Sequence, residues 1–279
     1  MQSRKLLSQR HPILYFLAVR FRRLNRYKSW ILDEKKYAKS KSSEILPYRV
    51  KKHKSILLRK LGDVDMQLQV NKVTNLKIAA KKIDGILIKP GETFSFCKTV
   101  GRPTKQKGYL PGLELSFGKA VSGIGGGICQ IANLLNWMIL HSPLTIVEKS
   151  QHSFDPFPDE GRILPFGSGA AIFYNYVDYQ FTNNTNATFQ INLWFTDSSL
   201  EGELKCDENL PYSYHVFEQD HEFLKMDDTF YRKNEIWRKI VSKKSGDTIN
   251  TELMTKNFAR VTYIPENFKE IQKMEYFFD

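Results

Sequence analysis

Gly123-Ile-Gly-Gly-Gly-Ile-Cys-Gln130 runs directly into Ile131-Ala-Asn-Leu-Leu-Asn-Trp-Met-Ile-Leu-His141, a helical segment that is apolar on nearly every side. Such a helix cannot face water and has to be covered by other elements. Pro143 stops it, and Leu144-Thr-Ile-Val147 then reads as a strand. Further strand patterns lie at Ile86-Leu-Ile88, Glu92–Lys98, Ala171–Phe181 and Thr188–Phe195. The last two are expected to form an antiparallel hairpin through the turn residues Thr182–Ala187. The two Asn-X-Thr sequons there are read first as turn chemistry. The expected fold class is therefore α+β, with a buried helix that starts at the Gly-rich Cys motif and packs on an antiparallel sheet. A second helix is expected from Asn71 to just before Gly85, and an ordered surface loop from Gly101 to Gly118.

Charge divides the chain. Net charge is +12, yet residues 1–60 alone carry 18 Lys or Arg against Asp33, Glu34 and Glu44. The basicity belongs to this segment and not to the body. Ile13–Trp30 reads as a basic helix with an apolar stripe. It is expected either to pack on the body by one face or to lie on an anionic membrane surface. Lys35–Lys60 reads as a loosely packed connector. The expected organisation is a basic N-terminal region and linker (1–60), a core domain (61–205) and a C-terminal extension (206–279). No apolar run approaches the roughly 20 residues that span a bilayer. With no signal peptide in view, the expected location is cytoplasmic, with peripheral contact at the inner face of the membrane as the alternative to packing on the body. No nucleic-acid module accompanies the charge, so no nucleic acid is expected as a partner.

Chemistry points to Cys129. A thiol in the first turn of a helix feels the positive end of the helix dipole, which favours thiolate. Gly125, Gly126 and Gly127 would let a substrate approach closely. The alternative is a small residue packing at a glycine-rich helix entry. A phosphate loop is disfavoured, because no Lys-Ser/Thr follows the glycines. His141 lies on the same helix roughly 18 Å from Cys129, so it reads as a C-terminal side chain favourable to the dipole. His152 is the geometric candidate for general base, since the eight residues from Leu144 cover roughly 26 Å as strand. Asp178, preferred over Asn175 and the nearer Asp155, would orient the imidazole. Cys129 N–H and Gln130 would hold an oxyanion. The arrangement is analogous to transglutaminase-like and papain-like thiol enzymes. Cys97, Cys129 and Cys206 show no metal-ligand spacing, and their odd number favours free thiols. Neither a metal nor a cofactor is expected.

Pro90-Gly-Glu-Thr-Phe-Ser-Phe96, Gly125-Gly-Gly-Ile-Cys-Gln130 and Leu144-Thr-Ile-Val-Glu-Lys-Ser-Gln-His152, with the segment around Asp178, resemble the VanW family over about Asn71 to Phe195. The resemblance implies an association with glycopeptide (vancomycin) resistance and cell-wall metabolism. It supplies no reaction. Family members often carry Asn at the position of Cys97, which argues against an essential role for that thiol, and the loop after His152 departs from the family pattern. Two functions from different classes are therefore expected. One is a thiol-dependent hydrolase or acyltransferase on an amide of a peptidoglycan precursor or wall-related peptide. The other is a non-catalytic binding or scaffold protein at the inner membrane surface.

Overall fold

A computed structural model describes residues 11–58, 65–116, 119–151, 154–155, 158 and 163–271. Four α-helices are described, α1 (Pro12–Leu32), α2 (Met66–Ile83), α3 (Phe96–Val100) and α4 (Cys129–Leu140). The strands are β1 (Lys36–Tyr37), β2 (Tyr48–Ile56), β3 (Ile86–Ile88), β4 (Glu92–Ser95), β5 (Pro111–Ser116), β6 (Lys119–Ile124), β7 (Thr145–Glu148) and β8 (Phe154–Asp155). They continue with β9 (Gln180–Thr182), β10 (Phe189–Phe195), β11 (Ser199–Cys206), β12 (Tyr212–Met226), β13 (Thr229–Ser242), β14 (Thr248–Val261) and β15 (Lys269–Glu270). The fold is α+β.

One antiparallel sheet has the order β2-β11-β10-β3, and a second, mixed sheet has the order β1-β4-β9-β7. Helix α4 contacts β2, β11 and α2. Its Ile131, Leu134, Leu135 and Met138 are at most 1% exposed and share one apolar cluster with Ile191 and Leu193 of β10 and Leu200 and Leu204 of β11. Phe94 and Phe181 stack at 4.9 Å in the second sheet and join the same cluster. The β5–β6 hairpin stands apart as a two-stranded unit packed on α2.

The segment after Cys206 forms a long meander, β12-β13-β14, flanked by β15 and β8. Its tie to the core is polar. The buried Arg238 donates to the carbonyls of Leu140 and Ser142 at 3.4 and 2.7 Å, which places a cation at the C-terminal end of α4. Arg232 pairs with Asp155 at 3.1 Å, both buried.

Several local expectations are corrected. About a third of the supposed connector is β2, an edge strand paired with β11. Its lysines sit on a strand edge, where charge discourages pairing with other chains. Strand β4 stops at Ser95, whose hydroxyl caps α3 by accepting from Lys98 N, so Phe96 and Cys97 do not continue the alternation. The loop at Gly101–Gly118 contains β5 of a hairpin. Ala171–Phe181 is not one strand. Phe173 bridges to Val177 around Asn175, which has φ +57°, and extended pairing resumes only at Gln180. The expected hairpin across 182–187 also does not form, because β9 and β10 belong to different sheets. Asn183, fully buried, donates to the carbonyls of Ile88 and Ala187 and holds that crossing.

Helix α1 forms as expected and turns three of its four arginines toward the body. Arg22 donates to Tyr176 Oη (2.5 Å), Arg23 to the Tyr174 carbonyl (3.2 Å) and Arg26 to both carboxylate oxygens of Glu148. Ile13, Leu17, Phe21, Leu24 and Ile31 face outward and are each more than half exposed.

Candidate functional site

The glycine loop is wedged between two elements. Gly126 lies against the backbone of Gly112 in β5, and Gly127, at φ +90°, lies against the Lys72 side chain of α2. The fully buried Asn75 fastens the contact, donating to the carbonyls of Leu110 and Gly126 (3.0 and 2.9 Å) and accepting from Leu110 N at 2.8 Å. Helix α4 therefore starts at a fixed point, with Ile128 as its cap residue and no capping side chain.

Cys129 is the first residue of α4 and opens on a cavity of about 1180 Å³, lined also by Gly125, Gly126, Gly127 and Gln130. The cavity's volume is on the order of that of small-molecule binding clefts. Cys129 is half-buried as a residue, and its thiol sits on the Ile172 peptide, with Sγ 3.4 Å from its N and 3.5 Å from its O. Burial pushes the thiol above its ordinary value. Glu114 adds in the same direction by its charge, while the N–H groups of Ile172 and Cys129 pull it down. Desolvation thus outweighs the thiolate-favouring effect of the helix start, and the resting group is a thiol.

Gln130 does not reach into the cavity as a free donor. Its Nε2 donates to Ser55 Oγ and to the Ile56 carbonyl, both at 2.9 Å, and pins α4 to β2. Asp178 is not brought to Cys129 either. It is fully buried, and its oxygens accept from Ser95 Oγ, Cys97 N, Tyr179 N and Gln180 Nε2. The carboxylate expected to orient a histidine instead anchors the start of α3. Asp155, the other carboxylate considered, is committed to Arg232. His152 lies outside the described residues. His141 caps the end of α4 with Nδ1 2.8 Å from the Trp137 carbonyl. Burial lowers it to about 4, so it is a neutral ring and not the cation that a helix C-terminus would favour.

The cavity holds groups that sequence reasoning passed over. Glu114, on β5, has its carboxyl pushed up by burial. His53, on β2, is lowered to about 4 by burial and by Lys51. Its ring lies 6.2 Å from Trp137, eight residues along α4 from Cys129 or roughly 12 Å. Gln69 and Lys72 project from the buried face of α2 into the same space. A signal for them existed: Gln69, Lys72 and Asn75 recur every three residues on the face that otherwise carries Leu76, Ala79, Ala80 and Ile83. Polar residues on a core-facing stripe mark a wall that meets something other than core.

A model of the VanW-like protein family matches residues 71–205. Over 266 residues, 95% of this chain and 97% of the relative, the sequence is 33% identical to the vancomycin B-type resistance protein VanW of Enterococcus faecalis. Over 115 residues it is 34% identical to an uncharacterized protein, YoaR, of Bacillus subtilis, covering 40% of this chain and 35% of that one. No solved structure matches the chain.

Proposed function

The chain belongs to the VanW family, and from that premise we propose that it acts in glycopeptide resistance by binding a cell-wall precursor or wall-related peptide in the Cys129 cavity, where Cys129 serves thiol-dependent acyl transfer or amide hydrolysis. The observation that carries this reading is the placement of Cys129, a half-buried residue at the start of a rigidly held helix, on the wall of a cavity of about 1180 Å³. In the reaction, Sγ gives its proton to a base and attacks an amide carbonyl carbon. The C–N bond breaks, the amine leaves with a proton, and a thioester remains. Water or a second amine then takes the acyl group and restores the thiol. His152 is the base this reading assigns. Glu114 is a second acceptor, close enough for its charge to oppose the thiolate.

Cys129→Ala is expected to abolish resistance in a host where resistance requires this protein, with the variant's thermal stability unchanged. Iodoacetamide is expected to label Cys129 faster than the buried Cys97 and Cys206. The apparent pKa should lie above the ordinary thiol value of about 8.5. Glu114→Gln removes an opposing negative charge, so it is expected to move that profile to lower pH. Full resistance with Cys129→Ala would sink the catalytic reading.

A second reading, a binding protein held at a membrane surface, is favoured by α1. A helix with arginines docked on the body and Ile13, Leu17, Phe21, Leu24 and Ile31 facing out, beside exposed Arg20 and Lys28, presents an apolar stripe flanked by positive charge. This matches an interfacial helix. No helix of the described residues is long and apolar enough to cross a membrane. The protein is expected to co-sediment with phosphatidylglycerol vesicles, and Leu17→Glu with Phe21→Glu should release it without lowering Tm. Equal sedimentation of wild type and variant would count against the stripe.

A further inference from the structure

Two features of the cavity play no part in thiol chemistry. The first is its charge. Arg23, Lys54 and Arg102 line it, and Glu114 carries the one carboxyl among the described residues that line it. Among the arginines that α1 turns toward the body, Arg26 has a carboxylate and Arg22 a phenol. Arg23 spends only its Nε, on the Tyr174 carbonyl, and its guanidinium carbon lies 5.9 Å from the ring centroids of Phe173 and Tyr174. That contact fixes the group while leaving its terminal nitrogens without a hydrogen-bond partner among the described residues. Arg102, exposed at the same cavity, pairs with no carboxylate among the described residues. The two guanidiniums feel each other: burial and then the charge of Arg102 lower Arg23 from its ordinary value. Like charges held together without a counterion repel, and an anion between them removes that repulsion.

The second feature is an orphaned acceptor. Gln69 is 1% exposed, lines the cavity, and its Oε1 is buried without a donor among the described residues. Buried polar atoms are otherwise nearly always satisfied. An oxygen left bare on a cavity wall calls for an N–H or O–H that no described residue supplies.

We propose that the cavity takes an anionic ligand that carries an amide N–H, with its carboxylate or phosphate held by Arg23 and Arg102 and its N–H donated to Gln69 Oε1. An N-acylated short peptide ending in a free carboxylate is the simplest molecule of this class, and a phosphorylated amide is the other source of the same chemistry. Planar guanidinium groups suit either anion. The proposal rests on the reading that the Cys129 cavity is the ligand site, and it is independent of thiol chemistry there.

The test is calorimetric titration of the full-length Cys129→Ala protein with N-acetyl-alanyl-alanine, its C-terminal amide, an ester analogue with oxygen in place of the central N–H, and N-acetylglucosamine 1-phosphate. The free acid or the phosphate is expected to bind at least about tenfold more tightly than the C-terminal amide, with affinity falling as salt rises. Which of the two binds identifies the source of the anion. Arg102→Ala is expected to weaken the anionic probe about tenfold and leave the amide unaffected. Gln69→Leu is expected to cost affinity for the amide-bearing anion, with no added loss for the ester analogue, while Tm holds or rises because an unsatisfied buried group has been removed. The proposal is overturned by equal affinity for acid and amide, by no binding of either anion at millimolar concentration, or by unchanged affinity in Arg102→Ala. Failure of the catalytic reading shows in a different place, as full resistance with Cys129→Ala.

Discussion

Asp178→Ala is expected to destabilise the protein by about 3–5 kcal/mol, measured as a fall in the urea midpoint at constant slope. The side chain is fully buried and accepts four hydrogen bonds: from Ser95 Oγ at 2.5 Å, Cys97 N and Tyr179 N at 2.8 Å each, and Gln180 Nε2 at 3.0 Å. Truncation strands four donors where water cannot reach them, and leaving a buried donor unpaired costs more than making the bond gained. The loss is also electrostatic. Asp178 is one of the negative groups that raise Arg26, behind the hydrogen bond and charge of Glu148, and Glu148 in turn accepts from Asp178 N at 3.2 Å. One carboxylate therefore ties β4, α3, the turn before β9 and, through charge, the docked helix α1. Asp178→Asn keeps one acceptor oxygen and sets an NH₂ against donors, so roughly half the loss is expected. Cys97 should become open to thiol reagents in both variants, because the N–H tether at the start of α3 is weakened. A cost below about 1 kcal/mol for Asp178→Ala would show that the network is not what holds these elements, and would return Asp178 to consideration as a functional carboxylate.

How much of this was legible depends on whether hydropathy or polar geometry decided the element. Helix α4, β3 and β10 were readable because their runs are largely apolar. Helix α2 was readable because Leu76, Ala79, Ala80 and Ile83 keep its period beyond the polar Gln69, Lys72 and Asn75. Strand β7 was readable from its β-branched residues, although none of them is buried. Strand β2 was hidden by its lysines. Strand β13 was hidden for the opposite reason: it alternates, but the positions turned inward include Arg232, Asn234 and Arg238. A hydropathy pattern cannot show a stripe whose buried members are charged. Asp178 was misplaced because a single left-handed residue, Asn175, breaks the strand pattern that would have carried it. At the site, Cys129 and the glycines were visible as a local motif. Their cavity partners were not, because Gln69, Glu114, Arg23 and Arg102 come from four separate segments that only tertiary contact brings together.

The glycine loop yields the second large effect. Gly126→Ala is expected to cost about 3 kcal/mol or more, because a Cβ there would stand 2.2 Å from the carbonyl carbon and oxygen of Gly112. Both partners are backbone, so no side chain can rotate aside. The only relief is to lift the β5–β6 hairpin off the loop, which breaks the Asn75 bond to Gly126. Gly112→Ala is the reciprocal case, at 2.4 Å from Gly126 O, and should cost a similar amount. The double variant should cost well under the sum, since the same gap admits both methyl groups once opened. Gly91 separates this clash from backbone strain. It has φ +74° and nothing within 4 Å of an added Cβ, so Gly91→Ala should show the left-handed penalty alone, about 1–2 kcal/mol. If Gly126→Ala costs no more than Gly91→Ala, the loop is not wedged against the hairpin and the fixed start of α4 loses its support. If the difference holds, faster iodoacetamide labelling of Cys129 in Gly126→Ala is expected as well. Lifting the hairpin moves Glu114 away from the thiol and admits water to it, which removes both influences that raise it.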